Sequence, residues 1–335
     1  MIRSESATFD RSVLDLDLEA EADRIAAGLR ETTAHVLHRR GLVVAISGGI
    51  DSSCCAALAV RALGAGRVLG LVLPERDSSD DSAARAHALA THLGIDVIEF
   101  DIAPALEAIG CYAARDAAVR EALPGYADGW SFKIVISGGT RGQFNTFGLV
   151  ARDPAGGMHE RRLGRAEYLQ IVAATNYKQR IRKTIEYFHA DRLNYAVVGT
   201  PNRLEYDQGF FVKNGDGSAD VKPIAHLYKT QVYAMARYLG LPARVCAAVP
   251  TTDTYSLEQG QDEFYFALPY AEMDLALWSV EQGRPAAELA RALGLDEDQA
   301  AAVQADIGNK RRTTRYLHER PVLLHAQPLR EEIPA

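Results

Sequence analysis

Apolar and polar positions alternate in blocks along this chain, and the blocks predict its elements. Residues 18–40 carry Ala22, Ile25, Leu29 and Val36 near one face at helical spacing, which predicts an amphipathic helix. Short apolar, β-branched runs follow at 42–46, 67–73, 96–100 and 195–198, each with the length and composition of a buried strand. Helical patterns separate them at 51–63, 80–93 and 166–189. Strands alternating with helices of that length predict an α/β fold, a doubly wound parallel sheet covered on both faces. In such sheets ligands bind beyond the carboxyl ends of the strands. No interior segment has the composition of a flexible linker, so the 335 residues read as a single domain.

The stretch from about 124 to 165 interrupts the alternation. It is rich in glycine and holds one strand-like run, Phe132-Lys133-Ile134-Val135-Ile136. It reads as an insertion, either a β-hairpin or an excursion over the surface, with a lid as the other reading. On helix 166–189, Tyr177, Ile181, Ile185 and Phe188 form an apolar stripe expected to face the core. Asn176, Arg180, Lys183 and Tyr187 fall on a second stripe. On spacing alone that second stripe reads first as a solvated basic face, and next as a surface for a phosphorylated or aromatic ligand.

The first strand runs into Ser47-Gly48-Gly49-Ile50-Asp51-Ser52-Ser53 and then a helix. Two glycines let the backbone turn sharply and approach a ligand. The helix start offers free N–H groups and a partial positive charge to a phosphate. Asp51 adds a hard oxygen for Mg²⁺. Neither Gly-x-x-x-x-Gly-Lys-Ser/Thr nor Gly-x-Gly-x-x-Gly occurs, so a γ-phosphate-transferring P-loop and a Rossmann dinucleotide site are not indicated. The fourth strand leads into a long acidic and aromatic loop, Gly199-Thr200-Pro201-Asn202 through Glu205, Phe210-Phe211-Val212-Lys213, Asp216 and Asp220, where function concentrates in such folds.

The Ser-Gly-Gly-x-Asp-Ser loop resembles the pyrophosphate loop of the N-type ATP pyrophosphatases. Together with the Glu205 to Asp220 loop, Leu227-Tyr228-Lys229-Thr230 and Pro250-Thr251, the chain resembles the ammonia-dependent NAD synthetases. That resemblance implies the adenine-nucleotide alpha hydrolase-like, three-layer fold. It also implies a ligase that adenylates the carboxylate of nicotinic acid adenine dinucleotide with ATP, then replaces AMP with ammonia. Implied ATP contacts are Ser47, Gly48, Gly49, Asp51, Ser52, Ser53, Thr200, Lys229 and Thr251. Asp51 and Glu205 would hold Mg²⁺. Substrate positions are Asn176, Arg180, Tyr187, Phe210, Phe211, Lys213, Asp220 and Lys310. Asp51, Lys229 and Asp216 are the implied catalytic groups, with Asp216 taking a proton from ammonium, although Gly215-Asp216-Gly217 is also a plain turn sequence. A homodimer is implied as well. The alternative is an amide-forming paralogue that adenylates and amidates a different small carboxylic acid in specialised metabolism.

Charge and cysteines narrow the classes. A net charge of −7 argues against a nucleic-acid partner, including the tRNA-thiolating members of the superfamily. Four cysteines without C-x-x-C spacing fit free thiols in a reducing cytoplasm. No run has membrane-spanning length, so a cytoplasmic protein is expected. Cys111 lacks the setting of a glutaminase nucleophile, which makes free ammonia the expected nitrogen source and a separate glutaminase subunit the other supply.

Overall fold

The computed structural model describes residues 9–137, 146–248, 255–257 and 268–324. Strands β1 (Leu42–Ala45), β2 (Val68–Val72), β3 (Asp96–Glu99) and β7 (Ala196–Val198) form a parallel sheet in the order β3-β2-β1-β7. Val43 lies opposite Leu69 on one side and Val197 on the other. The chain winds outward from β1 to β3 and then returns to the far side of β1. That reversal is a topological switch point, the place where such sheets open a crevice.

Helix α1 (Leu18–Glu31) precedes β1, helices α2 (Ile50–Leu63), α3 (Asp80–Leu93), α4 (Ala103–Ala108), α5 (Cys111–Ala122), α6 (Arg165–Leu193), α7 (Arg203–Gln208), α8 (Lys229–Tyr238) and α9 (Ala243–Cys246) follow the strands, and α10 (Tyr270–Glu281), α11 (Ala286–Leu293) and α12 (Glu297–His318) close the described chain. Leu42 and Val44 pack with α1, α2 and α8 on one face, whereas Val43 and Val197 pack with α4 to α6 on the other. The central strands β1, β2 and β7 are thus buried on both faces, which explains why they read as continuous apolar runs, whereas edge strand β3 keeps Asp96 and Glu99 exposed. Cys54 and Cys55 are wholly buried. The C-terminal helices build a separate core around Met273, Leu277, Leu289 and Ile307.

Two expectations need correction. The first helix is α-helical only to Glu31 and widens into a single π turn at Thr32–Val36. The apolar stripe on α6 does not all face inward: Tyr177 is 40% and Phe188 59% exposed, while Lys178, Lys183 and Glu186 are buried. Polar groups take the inner face because each finds an ionic partner there, which a hydrophobic pattern cannot reveal. The 124–165 segment forms a three-stranded antiparallel sheet, β4 (Ser131–Ser137), β5 (Thr146–Arg152) and β6 (Met158–Arg162), in the order β4-β5-β6. Phe132, Ile134 and Leu149 give it a core shared with Val119 of α5 and Ile171 of α6.

Candidate functional site

A cavity of about 840 Å³ opens at the switch point, lined by the turns after β1, β2 and β7, one face of α6 and the start of α8. It lies at the upper end of the range for small-molecule sites, ~300–1,000 Å³. The turn after β1 is knit by its serines: Ser47 N–H donates to Ser52 Oγ at 3.2 Å and Gly49 N–H to Ser47 Oγ at 3.3 Å. No side chain caps α2, so its first-turn N–H groups remain available to an anion. Gly48 has φ +76°, and a Cβ there would sit 2.4 Å from Ser82 O. Gly48→Ala therefore forces both a strained backbone and a shift of α3. With the turn cradling ATP phosphates as the resemblance implies, displacing it by about an ångström is expected to lower kcat/KM for ATP about 10²-fold, as read by pyrophosphate release. Ser53 turns its hydroxyl to Gly49 O at 2.7 Å, and neither it nor Gly48 lines the cavity.

Behind the loop, two carboxylates meet one ammonium. Asp51 Oδ2 is gripped by Lys229 Nζ, and Asp51 Oδ1 accepts from Asn202 Nδ2 at 3.0 Å. Glu205 is placed by a capping box at the start of α7, accepting from Asn202 N at 3.2 Å. Burial, then the charge of Asp51, pushes the Glu205 carboxyl up to about 8, against the pull of Lys229. Lys229 is 1% exposed and opens α8, whose first N–H groups donate to the buried Asp274 at 3.2 and 2.7 Å. The Asp51–Glu205 pair is thus short of positive charge. Among the described residues no three acidic, His or Cys side chains form a complete metal cage. Two carboxylate donors beside a phosphate cradle nonetheless suit Mg²⁺, which takes its remaining ligands from phosphates and water.

At the other end stand Asn176 and Arg180 of α6, Phe210, Phe211, Lys213 and Asp216 of the loop after α7, and Lys310 of α12; Thr200 lines the cavity from the turn after β7. Arg180 Nε donates to Lys213 O at 3.3 Å, Lys213 Nζ to Tyr316 O at 2.6 Å, and Lys310 pairs with Asp306 at 2.8 Å. Asp216 Oδ1 accepts from Val212 N at 2.7 Å, which tightens the turn, and burial raises its carboxyl above the ordinary value. Tyr187 and Asp220 are placed elsewhere. They bond each other at 3.3 Å, and Asp220 also takes the Val197 N–H at 2.7 Å, so they brace β7 and do not line the cavity. Thr251 lies outside the described residues.

Glu186, Arg85, Phe147 and Tyr168 escaped sequence reasoning, and Lys183 was read only as one member of a basic stripe. Lys183 and Glu186 form a buried pair at 2.6 Å beside Asp216. Arg85 reaches Gly48 O at 3.2 Å, and Phe147 and Tyr168 form a wall at the inserted sheet. The available signal was the spacing 168, 172, 176, 179, 183, 186 on α6, a single helical face that the apolar stripe obscured.

The family model described as NAD synthase matches residues 21–123 and 157–317. A protein of Rhizobium meliloti (strain 1021) named NH(3)-dependent NAD(+) synthetase is 55% identical over 324 residues, 96% of each chain. One of the same name from Thermotoga neapolitana is 39% identical over 72% of this chain and 78% of its own. Among solved structures, an NMN synthetase from Francisella tularensis superposes with a TM-score of 0.65 at 20% identity over 92% of this chain and 99% of that one. An NH3-dependent NAD synthetase from Campylobacter jejuni gives 0.61 at 21% over 92% and 100%. The structural likenesses establish the same layered α/β fold, and the matched sequence contains both the β1 turn and the Glu205 to Asp220 loop. The chain belongs to the NAD synthase family.

Proposed function

We propose that this protein is a ligase that makes NAD(+) from nicotinic acid adenine dinucleotide, ATP and ammonia. The observation that carries this reading is the convergence, at one switch point, of an uncapped helix start, Asp51, Glu205 and Lys229, in a chain 55% identical to a named NAD(+) synthetase along 96% of its length. That identity does not favour a paralogue acting on another acid.

In this reading the turn from Ser47 to Ser52 binds the β- and γ-phosphates through backbone N–H groups and hydroxyls. An oxygen of the acceptor carboxylate attacks the α-phosphorus. The bond to the β-phosphate oxygen breaks, pyrophosphate leaves, and an acyl-adenylate remains. Asp51 and Glu205 would hold Mg²⁺, which would supply positive charge toward the departing pyrophosphate. Lys229 adds its own charge and orients Asp51. Phe210 and Phe211 pack the pyridine ring, while Asn176, Arg180, Lys213 and Lys310 meet the polar parts of the dinucleotide. Asp216 takes a proton from ammonium, the amine attacks the acyl carbon, and AMP departs. Asp216→Asn is expected to lower kcat/KM for ammonium by about 10²–10³-fold while adenylate formation, followed by dinucleotide-dependent ATP–pyrophosphate exchange, persists. Because burial raises the Asp216 carboxyl, the base is spent at low pH, and activity limited by ammonia capture rises as pH climbs through that raised value.

Cys111 Sγ is buried and donates to Ala174 O at 3.3 Å, and burial raises its thiol. It is no glutaminase nucleophile, so free ammonia is the proposed nitrogen source. Exposed Tyr177 and Phe188 on α6 support a homodimer. Four free thiols support a cytoplasmic setting. Among the described residues no helix is long and apolar enough to cross a membrane. The test is direct: purified protein with ATP, Mg²⁺ and ammonium forms NAD(+), AMP and pyrophosphate in equal amounts when nicotinic acid adenine dinucleotide is present. AMP release with a different acid, and none with the dinucleotide, overturns the reading.

A further inference from the structure

The family model passes over residues 124–156, which contain β4 and β5, and resumes at 157. That skipped piece is not peripheral to the cavity. Phe147, on β5, stacks on Tyr168, in the first turn of α6, with ring centroids 3.8 Å apart and planes 15° from parallel. Both rings are only partly buried and line the cavity. Tyr255, buried against Phe132 of β4 at 5.7 Å, lines it as well. The sheet is firmly seated: Leu163 N–H donates to Phe147 O at 2.9 Å, and Leu257 N–H to Phe132 O at 3.0 Å.

Helix α6 gives the position of this wall. Arg182 Nε donates to Leu73 O at 3.2 Å, level with the carboxyl end of β2. Tyr168 lies fourteen residues earlier on the same helix, about 21 Å farther along its axis toward the N-terminus. A triphosphate gripped at Ser47 has a single nucleoside beyond its phosphates. An acceptor made of two nucleosides joined by a pyrophosphate carries its second base much farther from the reacting carboxylate. Partly exposed, stacked aromatic faces at that distance suit a flat base, since every base presents a π-face.

Resting on the function proposed above, we infer that the inserted sheet supplies, through Phe147 stacked on Tyr168, the wall on which the acceptor dinucleotide packs the base farthest from its carboxylate, and so sets which acids this enzyme accepts.

The experiment uses the full chain and three variants, Phe147→Ala, Phe147→Leu and Phe147→Tyr. Initial rates of NAD(+) formation are measured with the dinucleotide or ATP varied. AMP release is measured with nicotinic acid mononucleotide, which lacks the far base. Phe147→Ala is expected to raise the dinucleotide KM about tenfold with little change in kcat, and to leave the ATP and mononucleotide KM values within about twofold. Phe147→Leu keeps apolar volume and removes the aromatic face, so it decides the matter if the alanine variant fails to fold; it should move the dinucleotide KM in the same direction. Phe147→Tyr should restore it. A dinucleotide KM unchanged in the leucine variant, or an ATP KM raised as much, overturns the inference. A wild-type enzyme that makes no NAD(+) instead overturns the function itself.

Discussion

Asp51→Asn should lower kcat by about 10²–10³-fold while the protein stays folded. The carboxylate does two things that asparagine cannot. In the proposed mechanism it would supply a charged oxygen to Mg²⁺ at the departing pyrophosphate, and it holds the ammonium of Lys229 beside the β1 turn. Breaking a buried ion pair commonly costs ~3–5 kcal/mol, because the partner is left uncompensated. Here the loss should be smaller, since Glu205 stands beside the same lysine. Burial and the charge of Asp51 keep Glu205 protonated up to about pH 8. Removing that neighbouring charge lets Glu205 ionise at lower pH and replace Asp51 as the counterion.

The sign of the pH effect follows. Glu205 has its proton affinity raised on folding, from an ordinary 4.5 to about 8. Its contribution to stability is complete below 4.5 and is lost as pH rises through about 8. The metal-free wild type should therefore lose thermal stability across that window, and in Asp51→Asn the loss should end at lower pH. Steady-state turnover under Mg²⁺ titration, with melting curves from pH 5 to 9, checks both statements. Turnover within about threefold of wild type removes Asp51 from its metal role.

How much of this was legible in the sequence divides by physical cause. Strands β1, β2 and β7 and the helices α2, α3 and α6 were readable because the central strands are buried on both faces, leaving unbroken apolar runs between helical periods, and edge strand β3 was readable from the β-branched pair Val97-Ile98. The β1 turn was readable because Ser-Gly-Gly-x-Asp-Ser compresses a backbone demand and a charge demand into six adjacent residues. Glu205, Asp216 and Phe210 stood out as an acidic and aromatic loop at a strand end, but their individual roles came only through resemblance, since no local pattern dictates the path of that loop. Tyr187 and Asp220 matched the same resemblance, yet they face each other under β7. Hardest to read was the inner face of α6. Lys178, Lys183 and Glu186 look like solvent-facing residues until their partners are known, and those partners lie at Glu75, Asp77 and one helical turn away.

That inner face carries the largest expected effect on stability. Lys178, 1% exposed, bonds Glu75 at 2.9 Å and Asp77 at 2.6 Å, and Arg115, also buried, pairs with Asp77. Tyr112 donates to Glu75 at 2.8 Å. The network ties α5 and α6 to the turn after β2, which carries cavity residues Ser78 and Ser79. Lys178→Met keeps the length of the side chain and removes the cation between two buried carboxylates, so unfolding should become easier by about 3–5 kcal/mol. Burial alone would raise the Asp77 carboxyl, but Lys178 and then Arg115 hold it below its ordinary 3.8. Its stabilising contribution is therefore present above 3.8 and is lost as pH falls through the depressed value. Without Lys178 the depression shrinks, and acid unfolding should begin at higher pH. Urea midpoints at pH 7 and an acid titration followed by near-ultraviolet dichroism measure the two effects. Adding Glu75→Gln to Lys178→Met removes one stranded charge and should recover a large part of the loss. A double variant no more stable than the single one would show that the lysine acts through its packing and not its charge.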